Sequence, residues 1–445
     1  MKPTERSAKP ASTPKTALFA TLCALAALAL PGVAQAGSCP NEPLRTGPSA
    51  SLPDCRAYEL ITPENLGRGQ DMTFTGEDRA TPSSDGEHLG LASSAVELEP
   101  NSGTSPTVAG TRAVFSRTSQ GWVMKSVVDP GSQSVTSADN LDLELSSPDL
   151  SQVALHTYTF LNLVERSPDK AFEVGPVGGP YTVVANVPLK EATGSPTKAD
   201  FVGANAGTAS VPSFSDVLLE SSDHGLAFSA AERGVAEGTI AETEDVYDWS
   251  GGQLRLVNVT SEGALTSPCG AVLGDGVPAL GPGAINAVSA DGSKIFFMSP
   301  EPSAIEQHPA SCPEPSRLYM RVDGRETVEV SKPQGVTVLP SERKKAEYIG
   351  ATPDGSRVFF TTITRLTKET AEEEAKEAEN TKMGREELNN KLFMFDTVTG
   401  KLTLIAFGVK GKNNGNRKFF VISGDGSTVY YQTPPSSNVT ENIYR

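Results

Sequence analysis

A turn made of Ser or Thr, any residue, Asp, Gly and Ser recurs along this chain, and a β-branched or aromatic run follows it. The three clearest copies are residues 289–297 (SADGSKIFF), 352–360 (TPDGSRVFF) and 423–431 (SGDGSTVYY). Weaker copies begin at Ser83 and Ser147. An Asp-Gly pair between such runs is typical of a tight turn between antiparallel strands. A unit repeated at long period indicates a repeat architecture, but it identifies no ligand and no reaction.

The spacing of the repeat indicates six units. The interval between Asp149 and Asp291 is about twice the others, so one further unit is expected near its middle. Ser213, Phe214 and Ser215, followed by an apolar run, are the best candidates for its turn. In that copy the Asp is missing, and Asp223 offers a competing register.

Each unit continues in a fixed order after its turn. A short aromatic strand, a tight turn and a final apolar strand follow, as in residues 246–249 (VYDW), 251–252 (GG) and 254–257 (LRLV). Residues just before the turn, such as Ala287-Val288, supply the first strand. Four strands per unit and about six units predict an all-β protein with a β-propeller fold. We expect blades near residues 76–135, 140–190, 200–262, 284–335, 346–407 and 417–445.

The turn, followed by Leu-Tyr and by Thr-Gly-Lys-Leu at residues 399–402, resembles the repeat of TolB-like (WD-repeat-like) β-propellers. The resemblance covers most of residues 83–445. The segments 39–48 (CPNEPLRTGP) and 247–256 (YDWSGGQLRL) also make the chain similar to large secreted propeller proteins of actinobacteria, mostly of unknown function. The resemblance implies a propeller fold and an envelope location, and it transfers no catalytic residue.

The sequence leaves two alternatives for how the propeller closes. The last blade is incomplete, or it is closed by an N-terminal strand, because propellers commonly hide their terminal edges in this way. Residues 56–61 (RAYELI) alternate like a strand and could complete the last blade beside residues 442–445. Alternatively, the natural chain continues further.

The N-terminus has the pattern of a secretory signal peptide. A basic leader precedes an apolar run at residues 17–30, and Ala34-Gln35-Ala36 supplies small residues for cleavage after Ala36. We therefore expect residues 1–36 to be a signal peptide, 37–75 an extended segment and 76–445 the propeller. The expected location is secreted, periplasmic or in the cell envelope, without a membrane span.

Four cysteines lie outside the signal segment, and an even number in an exported chain suggests disulfides. Of the three possible pairings, Cys39–Cys55 and Cys269–Cys312 are favoured. Neither CxxC spacing nor a nearby histidine pair is present, so no metal or cofactor is expected.

Charge excludes one class of partner. The chain has 38 basic and 54 acidic residues and a net charge of −16, so it is a poor candidate for nucleic-acid binding. We expect a monomer whose partner is an envelope protein or an anionic wall polymer.

One basic group stands out against this acidity. It lies in the two loops that precede the first strands of the fifth and sixth units: Arg343, Lys344, Lys345, Lys410, Lys412, Arg417 and Lys418. Because such loops gather on one face of a propeller, these side chains are predicted to form an anion-binding face.

Motifs for catalysis are missing from the sequence. It contains no Gly-x-Ser-x-Gly elbow, no His-Glu-x-x-His and no phosphate-binding loop. The expected function is therefore a non-enzymatic binding or interaction module. The alternative is a propeller enzyme, a glycan hydrolase or lyase that uses the central channel; carboxylates or histidines gathered at the axis would favour it.

Overall fold

The structure is a computed structural model. It describes residues 39, 41–53, 55–61, 81–93, 111–119, 121–127, 141–162, 165–188, 197–223, 225–227, 244–276, 285–301, 312–368, 373, 376, 390–409, 420–432 and 443–445. The chain divides into two compact units, Met1–Ile61 and Thr62–Arg445.

The described residues of the N-terminal unit, within 39–61, form no sheet. It contains the 3-10 helices Glu42–Leu44 and Gly47–Ser51 and a disulfide between Cys39 and Cys55. The guanidinium of Arg45 donates to the carbonyl oxygens of Leu52 and Ala50 at 2.9 and 2.8 Å, which ties the segment together. Residues 56–61, predicted to be a strand, belong to no strand of the structure.

The described residues of the second unit form six consecutive antiparallel sheets, which we number as blades 1 to 6. The first three blades contain β1(Thr81–Pro82), β2(His88–Ser93), β3(Thr111–Thr118), β4(Gly121–Ser126); β5(Leu141–Ser146), β6(Gln152–Asn162), β7(Glu165–Pro176), β8(Thr182–Pro188); and β9(Ala199–Ala204), β10(Asp216–Ser221), β11(Asp245–Ser250), β12(Gln253–Leu256). The last three contain β13(Val272–Leu273), β14(Lys294–Ser299), β15(Arg317–Val322), β16(Glu326–Glu329); β17(Glu347–Ala351), β18(Arg357–Thr362), β19(Lys391–Asp396), β20(Lys401–Phe407); and β21(Val421–Ile422), β22(Val429–Gln432), β23(Ile443–Tyr444). A further 3-10 helix spans Pro340–Glu342.

Within each blade the strands pair in sequence order, so every blade is an antiparallel meander. Five blades have four strands, and the described part of blade 6 has three. The predicted all-β propeller fold is confirmed.

Local side-chain chemistry explains why the repeated turn forms. In blade 1 the Ser83 hydroxyl donates to Asp85 Oδ1 at 2.5 Å, and that oxygen also accepts the Glu87 N–H at 3.0 Å. The Ser83 hydroxyl in turn accepts the His88 N–H at 2.9 Å, five residues on. The same three contacts recur in the turns that begin at Ser147, Ser289, Thr352 and Ser423. Such side-chain caps satisfy backbone groups that the turn leaves unpaired.

The turn of blade 3 forms where the sequence predicted it, at residues 213–215. Phe214 has a φ of 61°, and its N–H donates to the Asn205 carbonyl at 3.1 Å, as the equivalent N–H does in the other turns. Asn205 takes the first turn position, and its Oδ1 accepts the N–H of Asp216 at 3.0 Å, eleven residues on. Residues 206–212 are therefore inserted in this turn, and Asp223 lies after β10. The sequence did not reveal the insertion because an amide oxygen replaces the usual hydroxyl.

The first strand of blade 4 is also split. The two-residue strand β13 pairs with β14, whereas Val288, predicted to lie in that strand, forms only an isolated bridge to Ile295. The described pairs of this first strand, at residues 272–273 and at Val288, are therefore separate along the chain.

Apolar clusters fill the space between neighbouring blades. The largest extends from Leu218 of blade 3 through Phe296 of blade 4 to Phe393 of blade 5. In it, the rings of Phe296 and Tyr348 stack across the boundary between blades 4 and 5, with centroids 6.0 Å apart. Offset aromatic pairs of this kind add to the stabilisation that burial provides. Among the described residues, no helix has the length and apolar character that a membrane span requires.

Candidate functional site

Hydrogen bonds link the turns of neighbouring blades on one face of the propeller. The Ser84 N–H of blade 1 donates to the Pro148 carbonyl of blade 2 at 2.9 Å. The Gly207 N–H of blade 3 donates to Ala290 of blade 4 at 2.9 Å, and Ala290 donates to Pro353 of blade 5 at 2.6 Å. These bonds join the blade edges at the turn face.

Proline interrupts this series at two boundaries. Pro148 and Pro353 accept from the preceding blade but have no N–H to donate to the next. Between blades 5 and 6 the Arg357 guanidinium compensates, donating to the Asp425 carbonyl at 2.9 Å. At the boundary between blades 2 and 3, the described hydrogen bonds include no such replacement.

A cleft opens at the boundary that lacks this bond. Its mouth has a volume of about 480 Å³, and its walls are the blade 2 turn, with Pro148, Asp149 and Gln152, and the inserted loop of blade 3, with Thr208 and Pro212. A second cavity, of about 210 Å³, shares Pro148 and Ala206 with the mouth and extends along the innermost strands of blades 2, 3 and 4. The two form one candidate site.

The inserted loop holds its shape by local contacts. The Thr208 hydroxyl accepts the Val211 N–H at 3.0 Å, and the Thr208 N–H donates to the Val211 carbonyl at 2.7 Å. A Cβ on Gly207, which has a φ of 88°, would lie 2.7 Å from the backbone nitrogen of Ser213. Gly207 is therefore required for the loop to fold back on itself.

The mouth contains one carboxylate among its described residues, that of Asp149. Partial burial opposes its ionisation, but hydrogen bonds from the Ser147 hydroxyl and from the Ser151 N–H and hydroxyl keep the pKa of Asp149 below its usual value. Asp149 is therefore an ionised group committed to its own turn. It is poorly suited to act as a general acid or base near neutral pH.

The deeper cavity is lined by polar and apolar groups in similar measure. Leu145, Val202, Phe214, Leu273 and Val288 supply apolar walls, and Ser146, Asn205 and Asn286 supply polar side chains. The buried amide of Asn205 donates to the carbonyls of Pro212 and Ala290 at 2.9 and 3.1 Å, so its nitrogen serves the loop. The described lining of this cavity contains no histidine, carboxylate, lysine or arginine.

Three of the seven predicted anion-binding residues, Arg343, Lys344 and Lys345, belong to the described part of the chain. Arg343 forms ion pairs with Glu329 and Glu301, and Lys345 lies 3.5 Å from Glu314, so part of their charge is neutralised. Lys344 is exposed. Lys410, Lys412, Arg417 and Lys418 lie outside the described residues, and the anion-binding face stays a prediction.

Two further sequence predictions concern cysteine and metal. The structure has disulfides between Cys39 and Cys55 and between Cys269 and Cys312, the favoured pairing. Within the described part of the chain, no group of three or more His, Cys, Asp or Glu side chains is placed to hold a metal ion.

Comparison with known proteins gives structural similarities to propellers. No family model matches the chain, and no curated protein matches it. Among solved structures it is similar to the β-propeller domain of the Trilobed protease from Pyrococcus furiosus (12% identity, 82% of this chain and 79% of that chain, TM-score 0.33). It is also similar to an acylaminoacyl peptidase from Pyrococcus horikoshii (12%, 84% and 44%, 0.33) and to a protein from Lactobacillus plantarum (11%, 81% and 81%, 0.29). The chain thus spans less than half of that peptidase.

Proposed function

We propose that this protein is a non-enzymatic binding module of the cell envelope or extracellular space, and that the cleft between blades 2 and 3 is its binding site. The observation that carries the proposal is the cleft itself. Its mouth and the cavity behind it both combine polar and apolar groups, and they lie at a boundary where Pro148 cannot continue the hydrogen bonds between turns. Binding sites are commonly concave, with apolar walls and a few placed polar groups.

The chemistry of the lining disfavours an anionic ligand segment, because the ionised carboxylate of Asp149 lies at the mouth. Gln152 and Ser213 offer neutral polar side chains at the mouth, while Val202 and Leu273 offer apolar contact deeper in. A partner protein that inserts a short segment with one apolar side chain would match both zones. We therefore favour an envelope protein over an anionic wall polymer as the partner of this cleft.

Location enters the proposal through the sequence and the cysteines. The signal-peptide pattern and the two disulfides both suit an exported protein. Membership of the TolB-like propellers belongs to the same proposal, since it rests on the repeated turn and on the resemblance of its flanking strands.

The test is a binding assay with a blocked cleft. Purified protein comprising residues 37–445 is titrated against isolated envelope proteins and cell-wall fractions. Released small products are assayed in parallel. Ala206→Trp fills the mouth with a large side chain at an exposed position, and Ala264→Trp is the matched control at an exposed loop outside the cleft. Saturable binding that Ala206→Trp weakens at least tenfold and Ala264→Trp preserves would support the proposal.

Two results would contradict it. Binding that survives in Ala206→Trp would place the interaction elsewhere on the protein. Release of products without lasting binding would favour the alternative of a glycan hydrolase or lyase.

A further inference from the structure

The first residue after the repeated turn bridges neighbouring blades in the second half of the propeller. In blade 4 this residue is Lys294, whose Nζ lies 3.2 Å from the carbonyl oxygen of Asp354 in the turn of blade 5. In blade 5 it is Arg357, whose Nη1 lies 2.9 Å from the carbonyl oxygen of Asp425 in the turn of blade 6. At each of these two boundaries, a cationic side chain therefore binds the backbone oxygen of the Asp in the next blade's turn.

Blade 3 has an acid at this position. Asp216 is the first residue of β10, as Lys294 and Arg357 are the first residues of β14 and β18. Its carboxylate lies against Gly292 in the turn of blade 4, where a Cβ would overlap it. The neighbouring Asp291 adds a second negative charge. The boundary between blades 3 and 4 thus has negative charge where the next two boundaries have a protein cation.

A second acid lies beside Asp216. Asp216 pairs with Ser250 across β10 and β11, and Asp248 pairs with Leu218, so the two acids share one face of blade 3. Leu218 belongs to the cluster that includes Phe296 of blade 4, which shows that this face packs against blade 4.

Asp248 has an unsatisfied oxygen. Only 7% of the residue is exposed, and its Oδ2 accepts the Ser250 hydroxyl at 3.0 Å, whereas its Oδ1 has no hydrogen-bond partner. A buried carboxylate oxygen without a donor or a cation is energetically costly. This orphan oxygen is an observation separate from the repeat and points to a missing positive group.

We propose that a divalent cation, best matched by Ca²⁺, binds between blades 3 and 4, where the carboxylates of Asp216 and Asp248 and the backbone carbonyl of Asp291 would hold it. The ion takes the role that Lys294 and Arg357 have at the next two boundaries. All three ligands are oxygens, which Ca²⁺ prefers, and water would complete its coordination. With two carboxylates in the site, we expect a dissociation constant of about 0.1–1 mM, the range of extracellular calcium modules.

Arg255 is the rival cation within the chain. It lies near both acids, but it is exposed, and its guanidinium donates to the Ser250 hydroxyl and to Gln253 Oε1, each at 3.0 Å. If Arg255 neutralised the acids by itself, added calcium would change nothing.

The experiment is thermal unfolding of the full chain at pH 7.5 in EDTA, in 10 mM CaCl2 and in 10 mM MgCl2, with calorimetric titration of CaCl2 alone. Calcium should raise Tm by about 2–4 °C over EDTA and more than magnesium does. Asp248→Asn should abolish both the Tm shift and the binding heat, while the surface variant Glu326→Gln keeps them.

Asp216→Lys tests whether a lysine can replace the cation, because it gives blade 3 the residue that blade 4 has at the equivalent position, Lys294. Its Tm should be independent of calcium and within about 2 °C of the calcium-loaded parent protein. If that variant fails to fold, Asp216→Asn should fold and lose the calcium response. A parent protein with no Tm shift and no binding heat, or a response that persists in Asp248→Asn, would overturn the proposal.

Discussion

Leu150 adopts a φ of 56° at the turn position where Gly86 of the preceding blade has a φ of 75°. The left-handed region suits glycine and is strained for leucine. Leu150 is nevertheless 3% exposed and packs with Val114, Val127 and Val153 between blades 1 and 2. Burial of the side chain thus offsets the strain of the backbone.

We therefore expect Leu150→Gly to destabilise the protein despite relieving the strain. Removing a buried leucine costs about 2–5 kcal/mol, whereas a left-handed non-glycine residue costs about 1–2 kcal/mol, so the net loss should be about 1–3 kcal/mol. Leu150→Ala keeps the strain and loses most of the packing, so it should be less stable still. Urea unfolding measures both, and a Leu150→Gly variant as stable as the parent would refute the argument.

Loss of one turn carboxylate should weaken a blade measurably. Asp354 Oδ1 accepts the Thr352 hydroxyl at 2.6 Å and the Ser356 N–H at 2.9 Å. Asp354→Ala removes both contacts and should cost about 1–2 kcal/mol, with Asp354→Asn intermediate. The exposed Glu326→Ala, measured in the same urea titration, should change the free energy of unfolding by less than about 0.5 kcal/mol.

Acid should erase the difference between Asp354 and its amide variant. Slight burial disfavours the ionised form, but hydrogen bonds from Thr352 and Ser356 outweigh it and lower the pKa of Asp354. The stability that this shift provides is present above the ordinary value of 3.8 and is lost as pH falls through the lowered pKa. Unfolding of the two proteins from pH 7 to pH 2 should therefore show curves that converge at the acid end; a constant gap would contradict the assignment.

Glu220 should produce the opposite pH dependence. Its carboxylate is buried, accepts the Leu273 N–H at 2.5 Å and lies near Glu244 and Asp200; burial raises its pKa to about 8. Between the ordinary value of 4.5 and about 8 the folded state binds more protons than the unfolded chain, so the free energy of unfolding falls as pH rises.

Glu220→Gln should flatten that slope. The amide keeps an acceptor for the Leu273 N–H but cannot ionise, so the variant should be about 1–3 kcal/mol more stable than the parent at pH 8 and close to it at pH 5. The measurement is urea unfolding at both pH values in EDTA, so that no cation contributes. Equal slopes for the two proteins would show that Glu220 does not control the alkaline loss.

The disulfide between Cys269 and Cys312 should stabilise the propeller by lowering the conformational entropy of the unfolded chain. It closes a loop with a sequence separation of 43 residues. The chain-entropy estimate for such a loop is about 4 kcal/mol, and the double variant Cys269→Ala/Cys312→Ala should approach that loss. Denaturant unfolding with intact and reduced parent protein provides the comparison; reduction without effect on stability would contradict it.

The sequence predicted what depends on neighbouring residues. Each Ser-x-Asp turn is capped by its own side chains, so its motif and its hairpin could be recognised directly. In blade 3 the turn at residues 213–215 was recognised, but its insertion was not, because Asn205 replaces the hydroxyl and its partner Asp216 lies eleven residues away. The cleft and the pair Asp216–Asp248 could not be predicted, because both depend on which blades meet: a missing N–H at Pro148 matters only when blade 3 faces it.

The self-contained turn has a consequence for engineering. Asn205 closes the base of the blade 3 loop by binding the N–H of Asp216, and the exposed residues 208–210 form the tip of the loop, whereas Gly207 and Phe214 contact the rest of the propeller. New sequences could be grafted at this tip, much as hypervariable loops are exchanged on an antibody framework, while the rest of the propeller keeps its register. The protein would then serve as a disulfide-stapled display platform whose recognition can be diversified one loop at a time.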